Sequence, residues 1–409
     1  MNKLELIGRN IIEEIRHLFV KRDKKIVLFG SWFGNRFADN TRYLFQYLAE
    51  NKEKLGLSHV VWVTRNQELC KELNELGYEA YMMDSEESIY YHKTALIHII
   101  ANACQELPGK KPDILTEYSN GAIRINLWHG IGGIKGVGFA SKSYTDAKAK
   151  HPVLLGLYEA ITQIRLYRLL VQLPGGWGDV YYLSTTPFAT YGFKKYFMLP
   201  DKFYIESGYP RNQAIYKLRK SEIEVVERIK KSKRTLLYMP TFRDNNEGYT
   251  APLEDPRMLE MLKENDWLWV EKKHGADASN LLADVDDGNV LRLDGDFDAS
   301  VIMPYVDAVV TDYSSVSWDA LYYKTPVVFY MPDYDYYMNQ DRGFVLKPDE
   351  FLIGPAVYSM DEMLEVLSKN AENFDNMLPE NEDQLFEKVW GREITCEEIW
   401  NDICKRVRK

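Results

Sequence analysis

What most constrains this chain is an alternation that runs nearly its whole length, short apolar runs separated by segments of helical length and periodicity. "KKIVLFGSW" (24–32) precedes the helical "NTRYLFQYLAENKEK". "HVVWVT" (59–64), "GYEAYMM" (77–83), "IHIIAN" (97–102) and "IRINLWHG" (123–130) continue the same rhythm. Strands that alternate with helices in this way call for a parallel sheet with helices on both faces. A second series begins after "FYIESGYPRN" (203–212), with "RTLLYMPTF" (234–242), "WLWVEKKHG" (267–275), "NVLRLDG" (289–295), "AVVTDYSS" and "TPVVFYM". The fold expected is α/β, two doubly wound Rossmann-type domains meeting near residue 205. At 409 residues the chain is long enough for both. The expected division is 1–205, 206–385 and a helical tail, 386–409, packing back across the junction.

Composition narrows the function classes. A net charge of −10 argues against a general nucleic-acid binder, which needs a broad basic footprint. Aromatics reach 13%, with 28 Tyr and 9 Trp, which suits surfaces that touch sugars, nucleotides or lipid headgroups. Cys70, Cys104, Cys396 and Cys404 lack metal-type spacing, and a reduced, cytosolic compartment is the simplest reading. The first 25 residues are charged throughout and read as an amphipathic helix, with Leu4, Ile7, Ile11, Ile15 and Leu18 at helical spacing, rather than as a signal peptide. No uncharged apolar run of about 18 residues is present to span a bilayer. The nearest approach, 153–173, contains Glu159, Arg165 and Arg168, and two readings stay open, a packed core helix or a membrane-surface helix. Basic clusters at Lys217–Arg234 and at Lys135, Lys142, Lys148 and Lys150 read as solvated faces.

In open parallel sheets, ligands bind outside the carboxyl ends of the strands. Those ends here carry "WHGIGGIKGVG", with His129, Gly130 and Lys135; "PTFRD", with Thr241, Arg243 and Asp244; "KKHG", with Lys272, Lys273 and His274; "DYSS", with Asp312, Ser314 and Ser315; and "MPDYDYYMNQDRGF", with Asp341 and Arg342. A lone histidine is commonly a packed or surface residue, but two at strand ends beside glycine loops and hydroxyls point to one crevice. The loop after His129 lacks P-loop and GxGxxG spacing and reads as an acceptor or catalytic loop. Ser314 and Ser315 stand where a helix begins. One can cap it, and together with its free amides they form an uncharged cradle for phosphate oxygens. Asp312 would repel phosphate and is expected instead to orient a neighbour such as His274. No carboxylate cage is legible, so no tightly bound cofactor is expected, and a Mg²⁺ carried with a donor pyrophosphate is compatible with the sequence.

"NLWHGIGGIKGVG", "YMPTFRD", "EKKHG" and "TDYSSVSWDALYYKTPVVFYMPDYDYYMNQDRGF" together resemble the CDP-glycerol:poly(glycerophosphate) glycerophosphotransferases of teichoic-acid and capsule synthesis. "SGYPRN" and "FADNTRYLFQYL" extend the resemblance over nearly the whole chain. It implies a GT-B-like enzyme with a cleft between its domains. The N-terminal domain faces the acceptor and the membrane, and the C-terminal one binds a CDP-alditol. The implied reaction moves glycerol phosphate or ribitol phosphate from CDP-glycerol or CDP-ribitol to a hydroxyl of an undecaprenyl-diphosphate-linked saccharide or polymer. CMP is released at the cytoplasmic face of the membrane by a peripheral protein, and a homo-oligomer is compatible with this. On the same resemblance His129 is the catalytic base, and His274 binds the pyrophosphate. Ser314 and Ser315 bind phosphate, and Arg243 and Arg342 belong to the donor site. Gly132, Gly133 and Gly275 depart from the residues the family more often carries there.

Three other readings compete. A UDP-sugar glycosyltransferase of the same architecture would more typically carry a late glutamate gripping a donor ribose. Asp319 and Asp333 are the nearest acids here. A sugar-nucleotide epimerase would surround one sugar with acids and bases, and a non-catalytic polysaccharide-binding protein would not need His129 and His274 together.

Overall fold

The computed structural model describes residues 3–102, 111–164, 166–167, 180–213, 216–241, 249–272, 288–340 and 344–407. Strands β1 (Asp23–Phe29), β2 (His59–Thr64), β3 (Glu79–Met82), β4 (Ala95–Ile100), β5 (Ile123–Asn126), β6 (Val180–Ser184) and β7 (Tyr204–Glu206) form one sheet, ordered β3-β2-β1-β4-β5-β6-β7. Strands β8 (Arg234–Tyr238), β9 (Trp267–Lys272), β10 (Val290–Leu293), β11 (Ala308–Thr311), β12 (Val327–Tyr330) and β13 (Ala356–Val357) form the second, ordered β10-β9-β8-β11-β12-β13. All of these pairings are parallel. The central strands are continuous apolar runs because helices cover both faces. Val27 pairs with Val60 on one side and Ile97 on the other, and Val309 lies between Leu237 and Val327. All six side chains are buried. Each sheet reverses its strand order once, at β1/β4 and at β8/β11, where a ligand crevice opens beyond the carboxyl ends.

The two halves are tied by buried charge. Arg42, on helix Asp39–Glu50, is fully buried and donates to both oxygens of Glu222, on helix Lys220–Lys231, at 2.5 and 2.7 Å. Glu222 also accepts the Arg219 backbone N–H at 2.8 Å, and Asp298 stands 3.7 Å from Arg42. Lys217 and Arg219, expected on a solvated face, pair with Glu50 and Glu72 of the first half, both at 2.8 Å. Farther along the chain, helices Glu382–Trp390 and Cys396–Val407 return to the first half. Thr185 Oγ1 donates to Val389 O at 2.6 Å, and Arg406 Nη2 to Tyr204 O at 2.7 Å.

Two elements run against the packed-core reading. Helix Pro152–Thr162 leaves Val153 76%, Leu154 66% and Leu157 58% exposed, so it is no core helix. The first helix, Lys3–His17, and the turn after it leave Ile11, Ile15, Leu18 and Phe19 exposed. Among the described residues no helix is long and apolar enough to cross a membrane.

Removing Glu222 strands a buried guanidinium. Glu222→Ala should therefore lower unfolding stability by about 3–5 kcal/mol in chemical denaturation, and Arg42→Leu combined with Glu222→Leu should lower it by less. Equal losses would show that the pair is not the stabilising contact.

Candidate active site

Beyond the carboxyl ends of both sheets lies a cavity of about 220 Å³, walled by the two halves together. From the first half come His129, Gly130 and Lys135; from the second come Thr241, Lys272, Ser314 and Ser315. These seven sequence-derived candidates share one space. His274, Arg243, Asp244 and Arg342 lie outside the described residues, as does Gly275.

His129 is built into the wall by the residues before it. Asn126 Oδ1 accepts the Trp128 N–H at 2.8 Å, and the buried Asn40 donates to Leu127 O and Trp128 O at 3.1 and 3.0 Å. These bonds hold Trp128 at φ +55°, a left-handed turn that aims the next residue into the cleft. The His129 ring then stacks on Trp128 at 4.6 Å and meets Trp32 at 5.3 Å. Its Nδ1 faces Ala101 O at 3.5 Å. A carbonyl can only accept, so this contact belongs to the Nδ1–H tautomer, which leaves the Nε2 lone pair for a substrate proton. Burial pulls the imidazole pKa down to about 4. Arg211 and Lys135 push the same way, and Asp39 opposes them. The ring is therefore neutral at neutral pH, as a general base requires.

Close approach explains the glycines that follow. A Cβ on Gly130 would lie 2.4 Å from Ser315 Oγ, and one on Gly132 2.7 Å from the Phe193 ring. The loop is held from behind by Tyr196, whose hydroxyl accepts Gly133 N–H at 2.7 Å and donates to Lys135 O at 2.6 Å. It is held from across the cleft by Val345 N–H to Ile134 O and Leu346 N–H to Gly133 O, both 2.9 Å. Lys135 thereby reaches Thr241 Oγ1 at 3.4 Å.

On the opposite wall, Ser314 Oγ accepts the Val316 N–H at 3.4 Å at the start of helix Val316–Tyr322, and the Ser315 side chain makes no capping bond. Asp312 does not line the cavity. It is buried, and both its oxygens accept Thr241 N–H, at 2.9 and 3.0 Å, so among the described residues the neighbour it orients is Thr241. Lys272 donates to Gly295 O at 3.1 Å. Burial, then Arg36, lowers its pKa to about 8 against the pull of Asp298 and Asp39.

Sequence reasoning does not reach Arg211, which joins the walls. It donates to both oxygens of Asp319 (2.6 and 2.7 Å), to Asp39 Oδ1 (2.8 Å) and to His129 O (2.7 Å). Burial lowers its pKa, but Asp319 and Asp39 outweigh that and hold it above the ordinary arginine value. The physical signal was an arginine just past a strand in "SGYPRN", with an acid and an amide, Asp39 and Asn40, opening a helix in "FADN". Asp319 and Asp333, the acids weighed for a donor ribose, are engaged by Arg211 and by the Tyr313 hydroxyl (3.0 Å). Among the described residues no group of three His, Cys, Asp or Glu is placed to hold a metal.

Two parallel Rossmann-type sheets facing each other across such a cleft define a GT-B-like fold. The wall teichoic acid polymerase TagF, soaked with CDPG, superposes with a TM-score of 0.69 over 99% of this chain and 97% of that one, at 19% identity. Residues 13–389 match the sequence profile of the CDP-Glycerol:Poly(glycerophosphate) glycerophosphotransferases, and the chain belongs to that family of transferases. The teichoic acid poly(glycerol phosphate) polymerase of Bacillus spizizenii is 27% identical over 367 residues, 85% of this chain and 84% of that one. The teichoic acid glycerol-phosphate transferase of Staphylococcus aureus is 24% identical over 388 residues, 89% of each.

The pH profile follows from the wall. A base works when neutral and an anion-holding lysine when charged, and kcat/KM reports the free enzyme. Its acid limb should lie well below 6.5, toward about 4 for His129, and its basic limb near 8 for Lys272. A rate measurement from pH 4 to 9 checks both, and an acid limb at 6.5 would contradict the burial argument.

Proposed function

We propose that the protein transfers glycerol phosphate from CDP-glycerol to a hydroxyl of a lipid-linked saccharide or polymer, releasing CMP, at the cytoplasmic face of the membrane. The supporting observation is the cavity itself, with a neutral imidazole on one wall and lysines and serine hydroxyls on the other. Family membership supports the donor class, as do the relatives named for glycerol phosphate and the TagF structure soaked with CDPG.

In this reading His129 Nε2 takes the proton of the acceptor hydroxyl. That oxygen attacks the phosphorus bearing the glycerol, and the bond from this phosphorus to the CMP phosphate oxygen breaks. Phosphoryl transfer asks the protein mainly for positioning and for charge stabilisation on the equatorial and leaving oxygens. Lys135, Lys272, Thr241, Ser314 and Ser315 supply donors for that charge. On the family resemblance His274, Arg243 and Arg342 join them.

Release of CMP from CDP-glycerol, compared with CDP-ribitol and UDP-sugars in the presence of a lipid-linked acceptor, tests the assignment. CMP should appear with CDP-glycerol, and His129→Ala should lower the rate about 10²–10⁴-fold, the usual contribution of a general base. CMP from CDP-ribitol alone would reassign the donor, and UDP release alone would overturn the reading.

The exposed apolar row on helix Pro152–Thr162 supports the membrane location, since Val153, Leu154 and Leu157 face solvent. Burying a leucine side chain is worth about 1.5–3 kcal/mol. Leu154→Glu should therefore reduce co-flotation with phospholipid vesicles about tenfold or more while leaving the melting temperature unchanged. Undiminished flotation would remove this helix from the membrane contact.

A further inference from the structure

We infer that Asp39 is a positioning residue for the His129 base, acting through Trp32 on the ring and through Arg211 on the backbone without touching the imidazole. The inference rests on the proposed role of His129. A base bound by a carboxylate at Nδ1 is oriented by that bond. Here the Nδ1 partner is a carbonyl at the long distance of 3.5 Å, so the ring's angle has to be set by what packs on it. Two indoles do so. Trp128 is fixed by its own backbone bonds, whereas Trp32 stands on the short turn Trp32–Gly34 after β1.

That turn does not relax into ordinary backbone. Among the described residues seven non-glycine residues have positive φ. Four of them, Trp32 (+44°), Phe33 (+61°), Asp39 (+60°) and Trp128 (+55°), lie on this one wall of the cleft. Left-handed residues persist where surrounding bonds over-determine them, and they gather at functional sites. The bonds are identifiable. Phe33 N–H donates to the buried Asp113 Oδ1 at 2.6 Å, and Trp32 Nε1–H donates to Asp39 Oδ2 at 2.6 Å. The other oxygen of Asp39 accepts Arg211 Nη1 at 2.8 Å, and the same nitrogen donates to His129 O at 2.7 Å. One carboxylate thus governs the indole against the imidazole and the guanidinium against the peptide behind it. Because Arg211 also grips Asp319 on the second half, the base is aligned by the same bonds that join the walls.

Trp32→Phe keeps an aromatic wall and deletes only the N–H that Asp39 holds. Asp39→Asn keeps the shape and deletes the charge. A general base displaced by a fraction of an ångström loses turnover while donor binding, made by the opposite wall, is untouched. Trp32→Phe should therefore lower kcat about 10- to 100-fold with KM for CDP-glycerol unchanged. The double variant should be no slower than Asp39→Asn alone, because both act along one route. A wild-type kcat in Trp32→Phe, or a raised acceptor KM at unchanged kcat, overturns the inference. Additive losses in the double variant overturn it too. Should Asp39→Asn fail to fold, Trp32→Phe decides by itself, since the part-exposed Trp32 is no core residue. An inactive wild type with every CDP-alditol would instead refute the proposed function. An active wild type indifferent to Trp32→Phe refutes only the positioning role.

Discussion

Two buried arginines on the seam between the sheets hold the molecule in its working shape. Arg42 is matched by Glu222 and Asp298, and Arg211 by Asp319 and Asp39. Charges taken out of water are tolerated only when geometry and partners compensate their desolvation, and such pairs are poor sources of stability compared with an apolar contact of equal volume. What they supply here is direction. An apolar seam would let the halves slide by a side chain's width, whereas two-pronged guanidinium–carboxylate bonds admit one relative placement. Because the reactive wall and the anion-holding wall come from different sheets, that placement decides whether the cavity exists.

The same logic explains why the cleft wall is strained and polar while the sheets behind it are neither. Trp32, Phe33, Asp39 and Trp128 sit in left-handed backbone at a cost of about 1–3 kcal/mol each, sustained by Asp113, Asn40, Asn126 and Arg211. Behind them Val27, Leu28, Phe29 and Val61 are wholly buried and regular. Rigid, apolar strands carry irregular ends, and the irregularity aims His129 into the cavity with its basic nitrogen unprotonated. The glycine loop belongs to this economy of space. Gly130 lies so close to Ser315 that no side chain fits between the two walls.

Much of this could be read from residues in order. The strand β2 was legible to the residue, because "HVVWVT" is apolar throughout and bounded by polar turns. β1 and β5 were legible too, though each ends earlier than its apolar run suggests. The chain leaves the sheet at Gly30 and at Leu127 to build the cleft. β6, β7 and β13 were not expected. β7 and β13 have three and two residues, and β6 is an aromatic "VYYLS" whose partner, β5, is more than fifty residues away in the chain. Helix Pro152–Thr162 misleads for a different reason. Apolar content says that a helix will bury a face, and it cannot say whether protein or lipid does the burying.

The amino-acid sequence by itself determined the alternation of strand and helix, the parallel sheets that follow from it, and the presence of His129, Lys135, Lys272, Ser314 and Ser315 at strand ends. Those are local properties, set by periodicity and by the rule that parallel strands expose their carboxyl ends together. Only the tertiary structure decided that Arg211 would lie between Asp39 and Asp319, and that Trp32 would press on an imidazole 97 residues away. Such contacts depend on how two sheets are set against each other. That arrangement is fixed by buried ion pairs between segments far apart in the chain, which no local pattern encodes.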